Sequence, residues 1–182
     1  NVLDGGEGND TLNSKSLSGN HTLKGGSGAD NLSVTGKNVV LEGGTENDYL
    51  NANGSFHGNG ETSYIGDGKA TLDGGDGADR IYINDYNAST VSGGSGDDNI
   101  NANNNAHSDN RNGLKGSTTS IYAGEGNDNV DVNWHKTALL QGDAGDDRLS
   151  ASVVQSSTLN GGAGSDQLNT YIGNYDTQYT SG

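Results

Sequence analysis

The chain is 182 residues long, with 32 glycines, only 28% hydrophobic residues and a formal net charge of −15. In an aperiodic sequence that balance argues for disorder, because too little apolar surface can be buried to offset the entropy of ordering. The absence of cysteine excludes a disulfide framework and a thiolate metal site, and the negative charge disfavours nucleic acid as a partner. No apolar run approaches the ~20 residues of a membrane-spanning helix, and neither a signal peptide nor a polybasic segment stands out.

Periodicity overrules disorder. A ten-residue phrase, apolar-x-Gly-Gly-x-Gly-x-Asp-x-apolar, is clearest in Leu72-Asp73-Gly74-Gly75-Asp76-Gly77-Ala78-Asp79-Arg80-Ile81. It recurs at 3–12, 23–32, 41–50, 72–81, 91–100, 121–130, 140–149 and 159–168. Its aspartates are Asp10, Asp30, Asp48, Asp79, Asp98, Asp128, Asp147 and Asp166, spaced by 20, 18, 31, 19, 30, 19 and 19 residues. The unit is therefore a coil of about nineteen residues, and the two wide spacings mark inserts at 53–69 and 103–118. Such a repeat needs only a narrow apolar column, since each coil packs on its neighbours alone. Residues 1–182 read as one solenoid segment cut from a longer array.

Each aspartate is followed by an alternating triplet, such as Leu32-Ser33-Val34, Leu50-Asn51-Ala52, Ile81-Tyr82-Ile83 and Val130-Asp131-Val132. The period of two puts the first and third residues inside. A second short strand precedes each glycine pair, as in Val39-Val40-Leu41, Ala70-Thr71-Leu72 and Ala138-Leu139-Leu140. The expected fold is all-β: two thin parallel sheets closed around Leu, Ile, Val and Ala. Glycine loops lie on one edge, and variable turns with both inserts lie on the other.

Three glycines and one aspartate at fixed offsets describe a tight turn that wraps carbonyl oxygens around a hard cation. Eighteen of the 24 acidic residues fall inside the repeated phrases, so stacked loops would bring like charges within a few Å unless something neutralises them. Calcium suits such an oxygen set better than magnesium, which demands a stricter octahedron.

The Gly-Gly-x-Gly-x-Asp-x-apolar string resembles the calcium-binding nonapeptide of RTX (repeats-in-toxin) proteins, which build a parallel β-roll. The resemblance implies calcium ions between successive loops, held by the eight aspartates and by carbonyls of the first and third glycines. Those glycines are Gly5, Gly8, Gly25, Gly28, Gly43, Gly74, Gly77, Gly93, Gly96, Gly126, Gly142, Gly145, Gly161 and Gly164. Eight loops leave seven gaps, and seven divalent ions would nearly cancel the net charge of −15. Three copies depart from the phrase: Glu46 replaces the third glycine, Ala123 the first and Asp143 the second. If all three positions need positive φ, each substitution costs about 1–2 kcal/mol.

The family resemblance also implies a secreted or cell-surface bacterial protein, exported unfolded by type I secretion and folding on calcium outside the cell. Adhesins, surface-layer proteins and toxins carry such segments. Extracellular proteases, lipases and alginate epimerases carry them as accessory modules. No catalytic constellation can be assembled from the remaining residues, so the chain reads as non-enzymatic. Its expected partners are calcium, neighbouring copies and other surface proteins.

His21, His57, His107 and His135 belong to the half opposite the glycine loops and read as scattered, solvent-exposed side chains. Trp134 reads as a turn-tip residue packing on a neighbouring turn. Thr22, Thr71, Thr90 and Thr158 share one outward strand position, which strand propensity accounts for. Phe56, His57, Tyr64, His107 and Arg111 on the inserts would serve a ligand-binding module, if there is one.

Overall fold

In the computed structural model the described residues are 1–16, 19–58, 61–64, 68–104 and 117–172, with backbone alone described at 55–58, 61–64 and 154. The first coil is β1 (Val2–Glu7) and β2 (Thr11–Lys15), and the second is β3 (Asn20–Ser27) and β4 (Asn31–Thr35). Next come β5 (Asn38–Thr45) and β6 (Tyr49–Asn53), followed by a small hairpin of β7 (Ser55–Gly58) and β8 (Glu61–Tyr64). The fourth and fifth coils are β9 (Lys69–Asp76) with β10 (Arg80–Asn84) and β11 (Ala88–Ser95) with β12 (Asn99–Asn103). β13 (Thr118–Glu125) leads into two long strands, β14 (Asn129–Ala144) and β15 (Arg148–Ala163), and β16 (Gln167–Ile172) ends the described chain. Among the described residues every pairing apart from the antiparallel β7–β8 hairpin is parallel, and coil follows coil in one stack of about eight turns. This is the parallel β-solenoid that the spacing predicts.

The register is the periodicity made physical. Leu41 pairs with Leu72, Leu72 with Val91, and Val91 with Ile121 on the face that enters the glycine loops. On the other face Leu50 pairs with Ile81, Ile81 with Ile100, and Ile100 with Val130. All of these are fully buried, and each large aliphatic side chain so buried is worth ~1.5–3 kcal/mol. A second interior layer of Val34, Ala52, Ile83, Ala102, Val132 and Ala151, three of them alanine, lies toward the far edge. In the last described strand the same position is open: Leu168 is 46% exposed.

Two details differ from the expected picture. The strands entering the loops do not stop at the glycine pair but run through it, as Gly44 pairing with Gly75 and Thr45 with Asp76 show. The ladder continues into the loop even at Asp143, which pairs with Gly124 on one side and Gly162 on the other. The sheets are also not separate: β14 and β15 turn the far edge without leaving the ladder, helped by bulges between Asn133, His135 and Thr137, and so join both faces.

β6 ends at Asn53 and β9 begins at Lys69, both on the edge away from the glycine loops, so the first insert leaves there. Asn104 and Ser117, within the second insert, lie on the same edge, and 105–116 lie outside the described residues. Wherever the inserts go, the loops stay in register.

Candidate metal centre

Every glycine loop after the first presents its aspartate to the loop before it. The Oδ1 of Asp30 accepts the backbone N–H of Asp10 at 2.7 Å, and Asp48, Asp79, Asp98, Asp128, Asp147 and Asp166 repeat the bond one coil on at 2.7–3.0 Å. One oxygen of each carboxylate thus ties two coils together.

The other oxygen is left without a partner. Oδ2 of Asp10, Asp30, Asp48, Asp79, Asp98, Asp128 and Asp147 is buried and receives no hydrogen bond. An uncompensated buried carboxylate oxygen costs several kcal/mol, and here the cost recurs in a column. Burial first, and the neighbouring carboxylates after it, push Asp48, Asp79 and Asp128 up to about 6 and Asp98 up to about 7, against the donated amide that pulls the other way. Asp147 is raised for the same reasons. Without a counterion Asp98 would keep its proton up to about pH 7, and Asp48, Asp79 and Asp128 up to about pH 6.

Oxygens of both coils line each gap. A Cβ built on Gly5 would lie 2.5 Å from Asp10 Oδ2 and 2.7 Å from the carbonyl oxygen of Gly25, so both crowd the same α-carbon. Gly25, Gly43, Gly74, Gly93 and Gly142 repeat the arrangement with tighter overlap. Carbonyls of the third glycines point the opposite way: that of Gly8 lies 2.6 Å, and that of Gly77 2.5 Å, from the Cβ positions of Gly28 and Gly96 one coil on. The predicted first and third glycines and the motif aspartates are thus brought to one edge in one repeating arrangement. Among the described residues no three His, Cys, Asp or Glu side chains converge, so the donor set is carboxylates with backbone carbonyls. Such a set fits a hard cation with flexible coordination, calcium before magnesium.

A second ladder escaped the sequence reading. The residue before the motif aspartate accepts the N–H of its counterpart one coil on wherever it carries a side-chain oxygen: Asn9 from Ala29, Asn47 from Ala78, Asp97 from Asn127, Asn127 from Asp146 and Asp146 from Ser165. The signal was present as the Asn-Asp and Asp-Asp pairs ending five of the loops. Its alternation with Ala29 and Ala78 disguised it as noise.

The three departures separate by cause. Glu46 (φ 76°) and Asp143 (φ 73°) do occupy the left-handed region, so the strain expected there is real. Ala123 does not: none of the first glycines has positive φ, and the difficulty at that position is room.

The histidine expectation fails where it can be checked. His21 and His135 are buried, with Nδ1 of His21 2.8 Å from Ser14 Oγ and Nδ1 of His135 3.1 Å from the Asn133 carbonyl. Both fill the far end of the coil, where the small aliphatic layer leaves space for a ring. The side chains of Phe56, His57, Tyr64, His107 and Arg111 lie outside the described residues. Trp134 sits at the far edge, 37% exposed and at φ 64°. The threonine row is in register as expected, Thr22 beside Val40, Val40 beside Thr71, and Thr71 beside Thr90.

A parallel β-roll with oxygen-lined glycine loops stacked along one edge defines a class of cation-dependent repeat proteins. A family model made of four copies of the RTX calcium-binding nonapeptide repeat matches residues 1–16, 24–55, 64–82, 87–106, 120–134 and 156–175, more than half of the chain. The chain belongs to that family, and it is a calcium-binding repeat module of the kind found in secreted proteins. No curated protein and no solved structure matches it.

Proposed function

We propose that the chain is a structural segment of a large secreted or cell-surface bacterial protein, of adhesin, surface-layer or toxin type, which folds on calcium after export. The observation that carries this reading is the column of seven buried, unpartnered Oδ2 atoms along one edge. Asp10, Asp30, Asp48, Asp79, Asp98, Asp128, Asp147 and Asp166, with carbonyls of the first and third glycines, would hold up to seven calcium ions in the gaps. The ions would supply positive charge and oxygen coordination and no chemistry beyond that. The chain itself catalyses nothing in this reading, since its acidic side chains are committed to the gaps and to the amides of neighbouring coils.

The physics of export agrees. Where calcium is scarce, carboxylate repulsion acts on a chain with a thin core and favours the open form. Extracellular modules typically bind at about 10⁻⁴–10⁻³ M, which matches calcium outside a cell rather than inside. Small-angle scattering tests this directly. In millimolar calcium the radius of gyration should approach the compact value of about 16 Å, somewhat more for an elongated solenoid, and in chelator it should rise toward about 45 Å. A compact particle in both conditions would refute folding on calcium.

A further inference from the structure

Seven loops open on glycine, and the sixth opens on Ala123. Since the position has ordinary φ, alanine costs nothing in the backbone there. What the other loops use the glycine for is space. The aspartate carboxylate of the same loop lies against the α-carbon, and a Cβ on Gly74, Gly93 or Gly142 would overlap Oδ2 of Asp79, Asp98 or Asp147. Ala123 puts a methyl group, fully buried, at the counterpart point beside Asp128. Yet Asp128 keeps its ladder bond to the Asp98 amide at 2.8 Å, and its Oδ2 is buried without a partner like the rest.

The other two departures leave the oxygen columns intact. A Cβ on Gly77 would overlap the carbonyl oxygen of Glu46, and one on Gly162 that of Asp143, as at the glycine-only loops. The carbonyl of Ala123 likewise reaches Gly93. At Ala123, by contrast, a methyl group stands where the glycine loops leave room for the carboxylate.

We propose that the Ala123 methyl displaces the Asp128 carboxylate from the seat its counterparts occupy, so that the cation position at Asp128 is the weakest in the column. It divides the calcium array into a block of coils before it and a shorter block after it. This rests on the reading of the gaps as calcium positions and adds which of them fills last. The weak position lies where β14 begins to join the two faces, so the last part of the solenoid closes at a higher calcium concentration than the rest.

The test is isothermal titration of calcium into the chelator-stripped chain, wild type against Ala123→Gly, with far-UV circular dichroism in millimolar calcium to confirm that both fold. Removing the methyl should tighten the weakest binding phase by roughly tenfold or more, as changes in the support of a metal ligand do. The reciprocal variant Gly93→Ala should create a second weak phase. Superimposable isotherms for wild type and Ala123→Gly, with calcium bound by both, would overturn the inference and leave the proposed function standing. No calcium bound by the wild type would overturn both.

Discussion

The two edges of the solenoid close the same coil by opposite means. On the glycine edge eight loops repeat one solution, and seven buried carboxylate oxygens are left to a cation. On the far edge each coil is closed differently. Ser14 meets His21, the Tyr86 hydroxyl donates to the Gly36 carbonyl at 2.9 Å, Ser89 meets Thr119 at 2.6 Å, and the Lys136 amide donates to Ser117 Oγ at 3.0 Å. Gly54 has no side chain where a Cβ would overlap the Asp85 carbonyl, which makes room for the Asp85–Tyr86 turn. Shared ions demand uniform loops, whereas side-chain hydrogen bonds tolerate turns of any length, inserts included.

The comparison predicts that the edges answer acid with opposite sign. In calcium-free buffer the folded carboxylates have raised pKa values, about 7 for Asp98 and about 6 for Asp48, Asp79 and Asp128. The folded state then binds more protons than the unfolded one, so its stability rises as pH falls from about 7 toward the ordinary carboxylate range. His135 works the other way. Burial lowers it to about 4, partly offset by the Asn133 carbonyl and the Asp85 charge, so its contribution is present above 6.5 and is lost as pH falls toward about 4. Four carboxylates outweigh one imidazole. The calcium-free chain should therefore recover strand signal in far-UV circular dichroism as pH falls from 7.5 to 5, and His135→Asn should steepen the gain. In millimolar calcium the slope should reverse, because metal binding requires deprotonated ligands. Equal slopes with and without calcium would break the comparison.

Asp79→Asn comes next in size. It keeps the acceptor for the Asp48 amide but removes the charge, and should cost about 1.5–3 kcal/mol in thermal or urea melts in calcium. The loss should grow with calcium concentration, since the variant holds an ion less tightly. A loss independent of calcium concentration would mean that Asp79 acts only as a hydrogen-bond acceptor.

Smallest is Tyr86→Phe. It orphans the Gly36 carbonyl and should cost about 0.5–1.5 kcal/mol, equally at low and at high millimolar calcium. A calcium-dependent loss there would show that the edges are energetically coupled.

The sequence made the glycine edge legible because that edge is periodic. The spacing of Asp10 through Asp166 reappears in the structure as hydrogen bonds between residues 20, 18, 31, 19, 30, 19 and 19 apart. Leu72 and Ile81 stand for an apolar column that could be read for the same reason. The far edge follows no repeat, so His21 and His135 looked like surface residues and the buried Tyr86 did not stand out. Their burial depends on which small residues face them, Gly36 beside His21 for instance, and that relation spans coils rather than neighbours in sequence. Ala123 was noticed as an exception, but only three dimensions show that its constraint is volume and not φ.

The central claim is that the glycine edge holds together because divalent ions sit between its loops. Far-UV circular dichroism of the chain in chelator, in millimolar magnesium and in millimolar calcium tests it most directly. A strand spectrum that appears with calcium, is lost on chelation and is not restored by magnesium is the predicted result. A strand spectrum of full amplitude in chelator would contradict it.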